Sequence, residues 1–252
     1  MTETKKSLGT FDGVFTPSIL TILGVIMYLK LGWVVGNVGL TKTLIIVTLA
    51  TSITFLTGLS IAAIATDQRV RAGGAYYMIS RSLGLEAGGA VGIPLFLAQA
   101  LSVSLYTVGF AESLIAVFPQ FDQESVVVMT IAVVSCIALL SPKLAIRTQY
   151  LVMAVVGLSL ISLLLGKEVS TEVAGLSGTI EDPAGFWEVF SVFFPAVTGI
   201  TVGVNLSGNL KDPGRSIPLG TFLAVGVGYL VYMILAVILA FRANPDILVE
   251  DP

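Results

Sequence analysis

FSVFFPAVTGITVGVNLSGN, residues 190–209, is apolar enough to cross a bilayer and badly built for one continuous helix. Pro195 has no amide hydrogen and its ring clashes with the preceding turn, so a helix kinks or stops there. Gly199 and Gly203 follow, each costing about 1 kcal/mol in a helix interior relative to alanine. Thr198, Thr201 and Asn205 place neutral oxygens in the same stretch. Opened backbone in hydrocarbon survives only where it lines a cavity or is buried in protein. The stretch reads either as a proline kink between packed helices or as one wall of a binding site at mid-membrane depth.

Composition decides the class. Of 252 residues, 55% are hydrophobic and 12% charged, and the mean hydropathy of +0.96 is far above that of a soluble domain. The polar start, MTETKKSLGTFDG, lacks the apolar core of a signal peptide. The single cysteine, Cys136, rules out an intrachain disulfide. Histidine is absent, which removes histidine proton relays, most zinc sites and Ser-His or Cys-His catalysis. No phosphate-binding loop or paired buried carboxylates emerge, so neither ATP-driven transport nor an enzyme is expected, and no cofactor. A net charge of −3 argues against nucleic acid as a partner.

Seven segments approach or exceed the ~20 apolar residues that span a bilayer: 14–36, 43–66, 88–118, 125–141, 146–166, 186–208 and 217–241. Residues 75–85 form a short surface helix between the second and third. Lysine and arginine placement sets orientation. With the N-terminus inside, Lys5, Lys6, Arg69, Arg71, Arg81, Lys143, Arg147, Lys211 and Arg215 are cytoplasmic, against Lys30, Lys42, Lys167 and Arg242 on the other side. The expectation is a multi-pass plasma-membrane protein with a cytoplasmic N-terminus and the end of this chain outside. The final RANPDILVEDP has no look of a domain end, so the chain is expected to stop partway through a longer protein.

The first span repeats the theme of the sixth. In VFTPSILTILGVIMYLKLGWVVG (14–36), Pro17 lies beside Thr16, Ser18 and Thr21, and Gly24 follows. Two interrupted spans five apart match inverted-repeat transporters, whose discontinuous helices surround a central site. An interrupted helix exposes carbonyls at one half-end and amide hydrogens at the other. Carbonyls with hydroxyl oxygens suit a dehydrated monovalent cation, and free amides at the positive dipole end suit an anion. Leu20, Thr21, Ile22 and Leu23 thus offer carbonyls, and Gly24, Val25 and Ile26 amides. In the sixth span Pro195 and Thr198 offer oxygens, and Gly199, Ile200 and Thr201 amides. Neither span has a central acidic side chain, so such a site holds cation and anion together or a zwitterion.

LGTFDGVFTPSILTILGVIMYLKLGWVVG (8–36), AIATDQRVRAGGAYYMISRSLG (63–84), YTVGFAESL (106–114) and FSVFFPAVTGITVGVNLSGNLKDPGRSIPLGT (190–221) together resemble the cation–chloride cotransporter family, within the amino acid–polyamine–organocation superfamily. The look is of a prokaryotic-type member with a short tail. The resemblance implies an all-α polytopic membrane protein of the LeuT-like fold, two inverted five-helix repeats with discontinuous helices 1 and 6. Residues 1–13 are then a cytoplasmic tail, 14–166 the first repeat, and 167–252 an outer loop with two helices of an incomplete second repeat. The family's potassium site falls on Thr21, Ile22, Tyr106, Pro195 and Thr198, with Leu20 and Leu23 giving carbonyls to sodium. One chloride site falls on the amides of Gly24, Val25 and Ile26, the other on those of Gly199, Ile200 and Thr201. Thr21 stands where many animal members have asparagine. The implied function is secondary active symport of K+ and/or Na+ with Cl− by alternating access. The implied partners are those ions, the lipid bilayer and a second copy of the chain. Two alternatives stay open: an amino-acid permease on the same scaffold, and a non-transporting truncated membrane subunit.

Overall fold

The computed structural model describes residues 8–67, 70, 73–140, 142–166, 175–177 and 179–250, with the side chains of 142 and 143 left aside. Lys5, Lys6, Arg69, Arg71 and Lys167, and the side chain of Lys143, which entered the orientation reading, lie outside the described residues. The described residues form an all-helical protein with six apolar stretches long enough to cross a membrane.

The first stretch, Phe11–Asp67, is 57 residues long, and at about 1.5 Å per residue is far longer than one crossing. It breaks twice. A π turn, Phe11–Phe15, leads into the helix Thr16–Ile22, and a new helix starts at Val25. The second break is at Gly39 (φ 70°, ψ 169°), inside Val25–Asp67. The sequence reading allows a loop over 37–42 between the first two spans. The structure needs one residue, because Gly39 adopts a backbone that a side chain rarely tolerates. Side chains close the turn on both sides. Thr43 Oγ1 donates to the Gly39 carbonyl at 2.8 Å, and Asn37 Oδ1 accepts from the amide of Ala184 at 2.9 Å.

The other expected segments appear as Leu85–Val117, Gln123–Leu140, Pro142–Leu165, a broken Phe186–Asn209, and Pro213–Arg242. The short helix Gly74–Leu83 lies between the second and third spans. Leu8 and Gly13 are buried. Leu8 pairs in parallel with Leu210 just after the sixth span, and Gly13 has no room for a methyl group beside the Leu210 side chain.

The main core is built by four spans. Ile19, Ile22 and Leu31 of the first meet Ile46 and Val47 of the second, Val189, Phe193 and Val197 of the sixth, and Ala224 and Tyr232 of the seventh. Close approach comes from glycine: a Cβ on Gly220 would lie 2.6 Å from Val14 Cβ, and one on Gly228 2.6 Å from Ile22 Cγ2. Small residues let backbones approach in the membrane, where packing replaces the hydrophobic drive between helices. The third, fourth and fifth spans bury almost nothing within the chain. No more than 6% of their most apolar window is buried, against 33–39% for the first, sixth and seventh stretches.

Candidate functional site

The first break sits at Leu23–Gly24, where the sequence reading places it. Leu23 leaves the helical region (φ −88°, ψ 35°) while its amide still donates to the Ile19 carbonyl at 2.8 Å. Pro17 is in the first turn of the preceding helix, and Thr21 Oγ1 donates back to the Pro17 carbonyl at 2.9 Å. Such back-bonding weakens and bends a helix one turn before its end. The Gly24 amide takes no backbone acceptor among the described residues, while its carbonyl accepts from Met27 at 3.1 Å.

The sixth break is longer. The helix Phe186–Phe193 tightens into a 3-10 turn, Phe194–Val197, which contains Pro195. Thr198 is extended (φ −81°, ψ −178°), Gly199 has φ 102°, and helix resumes at Thr201–Asn205. Proline thus opens the interruption and glycine turns the chain; the break itself lies three residues beyond Pro195. The amides of Gly199 and Ile200 take no backbone acceptor among the described residues.

The two breaks touch. A Cβ on Gly199 would lie 2.4 Å from Thr21 Cγ2, so the absence of a side chain there lets Thr21 pack on the sixth-span backbone. Beside this contact lies an open pocket of about 370 Å³, lined by Pro17, Leu20, Thr21, Gly24, Val25, Tyr106, Gln149 and Val202. Of the residues named from sequence, Leu20, Thr21, Gly24, Val25 and Tyr106 come together in it. Tyr106 is brought in by the third span, where Gly109, one turn on, leaves room for Val25. Ile22 and Leu23 are buried in the core behind, and Pro195, Thr198, Gly199, Ile200, Thr201 and Ile26 are not in the lining.

Several of the named oxygens already hold a hydrogen bond. The Pro195 carbonyl accepts from both Thr198 Oγ1 at 2.7 Å and the Thr198 amide at 3.3 Å. The Ile22 carbonyl accepts from the hydroxyl of Tyr232 at 2.6 Å. A hydroxyl that spends its hydrogen on a carbonyl keeps both lone pairs. Thr21 and Thr198 are therefore fixed as oxygen acceptors, suited to a cation.

Sequence reasoning misses two residues here. Tyr232, on the seventh span, is fully buried; its hydroxyl reaches Ile22 and lies 3.4 Å from the Ala196 carbonyl, and its ring meets Phe193 edge-on at 5.2 Å. One side chain thus bridges both interrupted helices. Gln149, on the fifth span, lines the pocket, and its buried Oε1 has no partner among the described residues. A polar group within an apolar span is the available signal for each. It says that a partner is needed, and only the fold says which.

A family model described as amino acid permease matches residues 13–249. The chain belongs to that family. It is 34% identical to solute carrier family 12 member 2 of Mus musculus over 253 residues, covering 91% of this chain and 21% of that protein. Against solute carrier family 12 member 1 of the same organism it is 33% identical over 257 residues, 92% of this chain and 24% of that protein. Against member 9 of Xenopus laevis the identity is 33% over 295 residues, 98% of this chain and 33% of that protein. These relatives bear out the resemblance to cation–chloride cotransporters read from the four quoted stretches. The chain spans between a fifth and a third of the length of these curated relatives.

Proposed function

We propose that this chain is a secondary active transporter, carrying K+ and/or Na+ together with Cl− by alternating access. The observation that supports this most is the meeting of two helix breaks at Thr21 and Gly199, beside a pocket with no charged side chain in its lining. In this reading the cation takes oxygens from Thr21, Tyr106 and Thr198 and carbonyls from Leu20, Ile22, Leu23 and Pro195, the last once Thr198 releases it. Chloride takes the amides of Gly24, Val25 and Ile26 at one position and those of Gly199, Ile200 and Thr201 at the other. Coupling follows from electrostatics. In a site without fixed charge each dehydrated ion offsets the field of the other, so single occupancy is disfavoured. The same reading has the LeuT-like repeat arrangement, a plasma-membrane location with the N-terminus inside, and a homodimer.

Rubidium uptake into vesicles carrying the full-length protein tests it. Uptake is expected to require chloride, and uptake that persists unchanged when gluconate replaces chloride overturns the symport. A second reading, amino-acid transport, is favoured by the family model itself. There the free Gly24 amide receives a substrate carboxylate. Saturable uptake of a labelled amino acid, competed by other amino acids and indifferent to rubidium, selects it.

A further inference from the structure

Among the described residues, five buried side-chain oxygens have no hydrogen-bond partner, and of the residues that carry them Gln149 alone is in the lining of the pocket at the first break. The other four are hydroxyls of Thr16, Ser18, Thr51 and Thr221, which rotate freely. An amide oxygen held out of water without a donor loses its hydration and gains nothing, so it calls for an explanation. Slack in the helix is not one. Tyr150, the next residue, donates its hydroxyl to Asp12 and stacks with Phe11 at 6.4 Å, which ties this turn of the fifth span to the start of the first. Gln149 lies about two helical turns into Pro142–Leu165 and shares the pocket lining with Thr21, Gly24 and Tyr106.

We propose that Gln149 is a further cation ligand and a determinant of cation selectivity, its Oε1 supplying a fixed neutral oxygen from the fifth span. This rests on the ion-symport reading. The pocket otherwise offers the cation the hydroxyls of Thr21 and Tyr106 and main-chain carbonyls, and these come from the first and third spans. An oxygen from the fifth span, added to those of the first, third and sixth, gives the shell a fixed size, which is what separates rubidium and potassium from smaller ions. The alkali cation replaces the missing donor, so the cost of burying the amide is recovered only when the ion is bound.

This arrangement has a signature that a structural glutamine lacks. Gln149→Leu removes an unpaired polar group and keeps most of its volume, so the ion-free protein is expected to melt at the same temperature or higher. The same variant is expected to raise the KM for rubidium about tenfold at saturating chloride. It leaves the KM for chloride at saturating rubidium within about twofold, and removes the thermal shift that rubidium chloride gives the wild type over choline chloride. Gln149→Asn, which retracts the same oxygen by one methylene, is expected to weaken rubidium while changing its preference over sodium. A Gln149→Leu protein that fails to fold, melts lower, or keeps its rubidium KM overturns the assignment. So does one that raises only the chloride KM, which assigns the amide to the anion through its nitrogen. A wild type without chloride-dependent rubidium uptake defeats the symport reading itself, whereas normal wild-type transport with an indifferent Gln149→Leu defeats this proposal alone.

Discussion

The two interrupted spans reach the same end by different means. The first break takes two residues, Leu23 and Gly24, neither with positive φ. The sixth takes a 3-10 turn, an extended threonine and a glycine at φ 102°. The first is held from outside, by the Tyr232 hydroxyl on the Ile22 carbonyl at 2.6 Å, whereas the sixth takes only a 3.4 Å contact from that hydroxyl at Ala196 and is fixed mainly by its own backbone and by Thr198 folding onto Pro195. A break enforced by local chemistry resists change in its neighbours, and one enforced by a tertiary contact is free to respond to them. The first break is thus the more adjustable of the two.

The sharpest way to break that contrast is to put a methyl group on each turning glycine. Gly199→Ala meets two penalties together, a φ that L residues rarely adopt and a Cβ 2.4 Å from Thr21 Cγ2. Strain and overpacking each cost about 1–3 kcal/mol, so a loss of roughly 3 kcal/mol is expected in thermal unfolding in detergent, with uptake abolished. Tyr232→Phe comes next. It strips the buried Ile22 carbonyl of its side-chain donor, at about 1–3 kcal/mol, and hydrogen exchange is expected to quicken more at the first break than at the sixth, where only the 3.4 Å contact to Ala196 is lost. Gly24→Ala is the mildest of the three, at roughly 1 kcal/mol. Its φ is ordinary, and its Cβ would crowd only the Thr21 carbonyl, at 2.9 Å. Equal losses for Gly24→Ala and Gly199→Ala would erase the distinction between the two breaks.

Local chemistry also explains what the sequence made legible. Pro17, Gly24, Pro195 and Gly199 act on their own backbone, so their effect is readable without a fold, and both interruptions fall within three residues of where those residues place them. The seven apolar segments are equally readable, since length and hydropathy are local. The one-residue turn at Gly39 is not, because it depends on Asn37 reaching Ala184 across 147 positions of chain. Tyr232 and Gln149 are hidden for the same reason: the carbonyl that Tyr232 reaches and the pocket that Gln149 lines belong to helices far away in sequence. From the sequence, the proline carbonyl at 195 counts as free for a cation. The structure gives it two donors from Thr198, a contact three residues long that propensity alone does not force.

The two threonines offer the finest test of the comparison. Both donate to a proline carbonyl in their own span, Thr21 to Pro17 at 2.9 Å and Thr198 to Pro195 at 2.7 Å. Replacement by valine keeps the branched shape and removes one hydrogen bond to a carbonyl, at about 0.5–1.5 kcal/mol for either. Stability should therefore not tell them apart. Transport should, because the Thr21 side chain is in the pocket lining with Tyr106 and Gln149, and Thr198 is not. Thr21→Val is expected to raise the rubidium KM severalfold, and Thr198→Val by about half that factor or less, with kcat little changed in both. Rubidium uptake at saturating chloride measures this. Equal rises would mean that Thr198 turns into the pocket when the ion binds, so that the self-contained sixth break moves after all and the adjustable partner has been misassigned.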